Sequence, residues 1–326
     1  MKTRHIVHWN GVPFFLSKKE RKMAEKTVAV VGSMNCDIIL KVKRLPEIGE
    51  TMVAESAVMS AGGKGANQAA QVAKLGLKTY MVGAVGQDHM GDFLIQEAEK
   101  YGVDTAYVRR SANTTGLGCV SALEDGRVYA TINRGANYDI TGSDLLAAEP
   151  VLRAADAVII QNEIPGSINQ SVIESARENG SLIIYNAAPA EPVESRYLAM
   201  CSVVIVNEVE AAFYLKKAIT TLEEAEEAGG RISTEMGNVW IITMGSMGSV
   251  ICEKGRTNII RPYKVDAVET TGAGDSYIGG LAYALLQGMD IEDAAGFATK
   301  CSAITVCGVG AQSSMPDMDQ IKARFG

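Results

Sequence analysis

From Thr27 onward, short apolar runs rich in β-branched residues alternate with longer stretches whose apolar positions recur every three or four residues. Short runs bounded by polar or turn residues read as strands, and the longer periodic stretches as amphipathic helices. Strands are predicted at 27–31, 79–84, 157–161, 182–185, 203–206 and 239–243, and helices at 65–75, 91–101, 168–179, 223–236, 274–286 and 291–306. The strand runs are apolar at successive positions, so both faces are expected to be covered, as in a mostly parallel sheet with crossover helices. Two regions break this rhythm, 37–60 and 115–134, the second alternating as LGCVSALEDGRVYATIN around a Glu124-Asp125-Gly126 turn. Both read as hairpin-like strands that pair into a small sheet attached to the larger domain and able to act as a lid.

The first 26 residues differ. Lys2, Arg4, Lys18, Lys19, Arg21, Lys22 and Lys26 stand against only Glu20 and Glu25, and the apolar piece 12–16 is too short for a signal-peptide core. A disordered basic extension over 1–26, or a start at Met23, is expected, with one main domain over 27–326 carrying lid strands from about 37–60 and 115–134. No internal repeat or low-complexity linker demands a second domain.

Composition narrows the function classes. With 326 residues, 47% hydrophobic and 21% charged, the chain can bury a large α/β core. A formal net charge of -7 argues against general nucleic-acid binding, which needs clustered Lys and Arg. The six cysteines form no CxxC pair and read as reduced thiols, and of the three histidines His5 and His8 lack a metal-binding partner nearby. No apolar run approaches the roughly 20 residues of a membrane span, so a soluble, cytoplasmic protein is expected.

Ligands of open parallel sheets bind outside the carboxyl ends of the strands. After the predicted strands come Asn35 and Asp37, Glu163, Asn186, Asn207 with Glu210, and Thr243 with Gly245 and Gly248. Each alone is an ordinary turn or cap residue; their recurrence at one edge favours a shared cleft. In TTGAGDSYIGG, 270–280, Gly272 and Gly274 open a helix whose main-chain amides can converge on anionic oxygen, with Asp275 in the first turn to take a hydroxyl proton. The same letters also read as a glycine-rich helix start with an ordinary first-turn acid. In SAGGKGANQAA, 60–70, Lys64 and Asn67 suit a polyhydroxylated ligand, or else mark a structural turn with a solvated lysine. It is not a Walker A loop, since Val58 stands at the first glycine position and Gly65 follows Lys64. Nor does 32–35 supply a dinucleotide-binding GxGxxG.

GSMNCD, GGKGANQA, NAAPA, VNEVEA, ITMGSMG, TTGAGDS and GAQSS, in this order from about residue 27 to 316, resemble the ribokinase family of sugar kinases. The resemblance implies a three-layer fold with a small β-sheet lid, and ATP-dependent phosphorylation of D-ribose at its 5-hydroxyl. It implies that Asn35, Cys36, Asp37, Gly63, Lys64, Gly65, Ala66, Asn67 and Glu163 surround the sugar, and that Asp275 is the base beside an anion hole of Gly272, Ala273 and Gly274. Asn207, Thr243, Met244, Gly245, Ser246, Met247, Gly248, Gly274 and Thr299 would line the ATP site, with Asn207 and Glu210 organising magnesium through water. A potassium ion would lie among Glu269, Thr271, Thr305, Gly308, Gly310 and Ser314, where Glu269 replaces the family's usual Asp. Ala187 likewise replaces a usual Pro. For three of these residues a plainer role stays open: Thr299 and Cys36 facing the core, and Glu210 as a helix acid. A homodimer joined through the lid sheet is expected. The rivals are a kinase of the same family acting on fructose, a deoxysugar or a nucleoside, and a non-catalytic sugar-binding regulator on the same fold.

Overall fold

The computed structural model describes residues 26–123 and 128–326. The basic stretch before Lys26 and the Glu124-Asp125-Gly126 turn lie outside the described residues. Lys26 belongs to the folded domain, where its Nζ pairs with Asp156 Oδ1 at 2.7 Å.

The described residues form thirteen strands: β1 (Thr27–Val31), β2 (Asn35–Val42), β3 (Ser56–Gly62), β4 (Lys78–Gly86), β5 (Val103–Ser111), β6 (Gly116–Leu123), β7 (Val128–Asn133), β8 (Ala157–Gln161), β9 (Leu182–Asn186), β10 (Val203–Asn207), β11 (Val239–Thr243), β12 (Ser249–Glu253) and β13 (Arg256–Ile260). Nine form the central sheet in the order β13-β12-β11-β10-β9-β8-β1-β4-β5, parallel from β5 through β11. The two last strands run antiparallel. They form a hairpin that the periodicity does not announce, closed by Lys254 (φ 49°) and Gly255 (φ 80°). Positive φ at both central positions matches the twist of paired strands.

Alternate residues of β1 go to opposite clusters, Val28 and Val30 to one and Ala29 and Val31 to the other. The first cluster packs the helices Lys64–Lys74, His89–Lys100, Ala273–Leu286 and Ile291–Thr305, and the second those within 142–236. This produces the three layers and the two-faced burial expected of the apolar runs. Each large aliphatic side chain taken fully from water contributes about 1.5–3 kcal/mol.

The small sheet has the order β3-β2-β6-β7, with β2 parallel to β6 and antiparallel to β3. The region 37–60 is thus no tight hairpin: β2 starts at Asn35, and residues 43–55 link it to β3. Asn35 and Asp37 therefore ride on the small sheet rather than in a loop after β1.

The order in which strands are added reverses at β1, since β4 flanks it on one side and β8 on the other. The crevice at such a switch point lies outside the carboxyl ends of the two strands. Here that places 32–35 opposite 161–163, with the small sheet rising beside them.

Candidate active site

The helix Ala273–Leu286 begins without a side-chain cap, at Gly272 with φ 78°. A side chain on Gly272 would also press on Ala311, 2.8 Å from the Cβ position. Among the described residues no hydrogen bond takes the N–H of Gly274 or Asp275, and a Cβ on Gly274 would meet nothing within 4 Å. Open space and unspent amides at a helix N-terminus suit an anionic ligand. Ala273 does not join them as expected, because its N–H donates to the Thr270 carbonyl at 3.2 Å.

Asp275 is buried in the first turn of this helix. Its Oδ2 accepts from Asn67 Nδ2 and its Oδ1 from Gln68 Nε2, each at 2.9 Å. Burial raises its pKa, while Lys64 and the two amides oppose the rise. Lys64, first residue of its helix, is half-buried; burial works against its ammonium, but Asp275, Glu163 and Glu210 outweigh it and hold its pKa above the ordinary value. Glu163 is held in place: its Oε2 accepts from the Lys64 N–H at 3.1 Å and from the Ser33 hydroxyl. Asp37 completes the group, its pKa pushed up to about 6 by burial and then by the charges of Glu163 and Asp275.

Asp37 fits between its neighbouring strands only because they carry glycines. A Cβ on Gly62 of β3 would lie 2.1 Å from Asp37 Oδ2, and one on Gly118 of β6 would lie 2.2 Å from Oδ1. Asn35 is fixed similarly, its Oδ1 accepting from Asn137 Nδ2 at 2.7 Å, so its NH2 remains to face a ligand. Gly63, at φ 88°, lets the main chain pass Met34 and Asn35 at contact distance.

Several expected residues point elsewhere. Cys36 and Ala66 are buried in the core, since Cys36 alternates with Asn35 and Asp37 on its strand and Ala66 lies on the inner face of its helix. Gly65 serves packing, because a Cβ there would lie 2.7 Å from Ser33 N. The side chain of Met244 is core and its N–H donates to the Gly248 carbonyl. Thr299 spends its hydroxyl on the Ala295 carbonyl of its own helix. Asn67 turns both polar ends to protein groups, Asp275 and Gln312. Asn207 caps the helix Glu208–Leu215 with its Oδ1, and Glu210 Oε2 accepts from the Asn207 N–H at 2.8 Å. Thus Asn207 has its NH2 left to offer and Glu210 one oxygen. Thr243 ends β11, and the turn Gly245–Met247 with Gly248 follows it at the same sheet edge.

The segments around Glu269 and 305–314 do meet. Glu269 Oε2 accepts from the Gly310 N–H at 2.9 Å, and the Ser314 hydroxyl donates to the Gly310 carbonyl. Gly308 lies against Ser314, whereas the Thr305 hydroxyl is buried against Ser276 and Thr271 is exposed. Ser33, Gln68, Asn137, Gln161 and the strand glycines were missed in the sequence. The glycines carried a signal, since glycine within a strand marks close approach of another group.

Residues 25–318 match the pfkB family carbohydrate kinases. A ribokinase of Schizosaccharomyces pombe is 34% identical over 91% of this chain and 97% of its own length. A deoxyribokinase of Salmonella typhimurium is 30% identical over 90% of this chain and 96% of its own. The structure of Arabidopsis thaliana ribokinase complexed with ribose and ATP superposes with a TM-score of 0.85 at 31% identity, covering 92% of this chain and 98% of the other. With seven central strands parallel, a small sheet beside the switch point and an acid in an uncapped helix N-terminus, this chain belongs to the pfkB family of carbohydrate kinases.

Proposed function

We propose that the protein transfers the γ-phosphoryl group of ATP to the 5-hydroxyl of D-ribose, giving ribose 5-phosphate and ADP. The observation that carries this reading is the placement of Asp275, a buried carboxylate in the same helical turn as two unspent main-chain amides. Asp275 accepts the hydroxyl proton as the oxygen attacks phosphorus, and the Gly274 and Asp275 amides hold the charge that builds on the transferred group. Lys64 adds positive charge between donor and acceptor. Asn35, Asp37 and Glu163 hold the sugar hydroxyls, and the small sheet serves as the lid over them. The nucleotide lies along Asn207, Thr243 and the turn 245–248.

Two ions belong to this reading. Glu210, with one carboxylate oxygen unspent, would hold water of a magnesium ion, and the unspent Asn207 NH2 would offer a hydrogen bond to phosphate oxygen. The Glu269 carboxylate and the Gly310 carbonyl are hard oxygen donors brought close to each other that would suit potassium, which would supply positive charge near the start of the Ala273–Leu286 helix. Sugar-dependent ADP release across ribose, 2-deoxyribose, fructose and a nucleoside tests the assignment. Ribose should give the highest kcat/KM, with activity falling when sodium replaces potassium. Preference for another acceptor would overturn the substrate, and equal rates in the two salts the cation.

The lid also favours a homodimer. Ile39 faces Val58 and Val120 in register, on the side of the sheet that carries Asp37, and Val58 and Ile132 are 56% and 57% exposed. An apolar face of this kind is suited to cover by a second copy. Sedimentation should show a dimer that Ile132→Lys dissociates; a monomeric wild-type protein at micromolar concentration would exclude it.

A further inference from the structure

The acid of the site is the meeting point of two chains of side-chain amides. On one side Gln68 Nε2 donates to Asp275 Oδ1 at 2.9 Å, and Gln68 Oε1 accepts from Gln161 Nε2 at 2.7 Å. On the other, Asn67 Nδ2 donates to Asp275 Oδ2 at 2.9 Å, and Asn67 Oδ1 accepts from Gln312 Nε2 at 3.1 Å. Both chains end on buried oxygens that have no partner among the described residues, Gln161 Oε1 and Gln312 Oε1.

The direction of these chains has a cause. An ionised carboxylate only accepts hydrogen bonds, so each amide touching it must present its NH2. The oxygen of that amide then faces outward and requires a donor, which only the NH2 of the next amide supplies. Polarity set at Asp275 is passed outward until it ends on an oxygen with nothing to receive. Two orphaned oxygens are costly, and reversing either chain would give its terminal oxygen the NH2 of the next amide as donor, leaving an NH2 in its former place. Reversal, however, turns an amide oxygen onto a carboxylate oxygen, which is tolerable only if Asp275 carries a proton. The arrangement is therefore matched to the ionised acid. Gln68 is further locked by donating to Asn186 Oδ1 at 3.2 Å.

We infer that Gln68 and Gln312 are positioning residues for the transfer reaction, fixing the orientation and the charge of Asp275, Gln68 directly and Gln312 through Asn67. This rests on the role of Asp275 proposed above. The charged groups around Asp275 are Lys64 from its helix, Glu163 from the loop after β8 and Asp37 from β2, with Glu210 interacting with Lys64. Burial and the carboxylates favour the protonated acid, whereas Lys64 and the amides favour the anion.

The test is titration of the Asp275 carboxyl carbon by 13C NMR, assigned through its loss in Asp275→Asn, in wild type, Gln68→Met and Gln312→Met. Removing an amide donor should move the midpoint up by about one pH unit in Gln68→Met, equivalent to about ten-fold more protonated acid at a given pH below the midpoint, and by less in Gln312→Met. The acidic limb of kcat should move with it, while KM for ribose on the alkaline plateau stays within about two-fold. A midpoint unmoved in both variants, or a loss of kcat independent of pH, overturns the inference. Should Gln68→Met not fold, Gln312→Met decides, its side chain standing at the far end of one chain. Wild-type protein that releases no ADP with any sugar defeats the kinase reading separately, and the carboxyl titration still decides whether the amides set the charge of Asp275.

Discussion

Asp275→Asn should lower kcat for sugar phosphorylation by about 10²–10⁴-fold, the usual worth of a positioned general base. Binding of ATP, followed by calorimetry, should stay within about three-fold of wild type, because the groups proposed for the nucleotide, Asn207, Thr243 and the turn 245–248, and the main-chain amides of the helix start are untouched. The substitution preserves volume but not hydrogen-bond polarity. Its new NH2 meets the NH2 of either Asn67 or Gln68, which both donate to Asp275, so one of those amides must turn. A small loss of thermal stability is therefore expected along with the kinetic loss. The rate left in the variant should respond little to pH between 6 and 9, since the titrating base is gone. Turnover within ten-fold of wild type would remove Asp275 from the chemistry and leave the buried carboxylate as a structural acid.

Much of the central sheet was legible because burial on both faces leaves a simple trace, an unbroken apolar run. The strands β1, β8, β9, β10 and β11 show it, and each was expected within a residue or two. The hairpin of β12 and β13 was not, because its Lys-Gly turn carries lysine where asparagine is the commoner signal. Within the site, the acids and the lysine stood out as charges beside glycine-rich turns. Membership of a motif, however, says nothing about which way a side chain faces. Period-two alternation along β2 already separates Cys36 from Asn35 and Asp37. The amides Gln68, Gln161 and Gln312 were invisible for a different reason. They come from distant segments, and only folding shows that the end of β8 and GAQSS are linked to one carboxylate through Gln68 and Asn67 of GGKGANQA.

Lys64→Met should be the other severe loss, and its pH behaviour should separate it from Asp275→Asn. Lys64 interacts through space with Asp275, Glu163 and Glu210, and Asp37 adds a further acid nearby. Methionine keeps most of the aliphatic stem and deletes the charge. Four acids then share one cleft without the ammonium among them. An opposite charge favours the ionised form of an acid, so its removal raises the pKa of Asp275 and Glu210, the two acids that Lys64 holds down, and protonates them at higher pH. The acidic limb of kcat should accordingly move to higher pH, where Asp275→Asn leaves a flat profile. Beyond titration, the variant loses a cation placed to offset the negative charge of the transferred phosphoryl group. Deleting one such preorganised group costs about 10²–10³-fold in kcat, and Lys64→Arg should recover only part of it, because the planar guanidinium has a different reach and geometry. Steady-state rates for wild type, Lys64→Met and Lys64→Arg between pH 5.5 and 9 provide the check. If Lys64→Met keeps both its plateau and its acidic limb, Asp275 is not balanced by this lysine, and its ionisation must depend on the helix N-terminus and the amide chains instead.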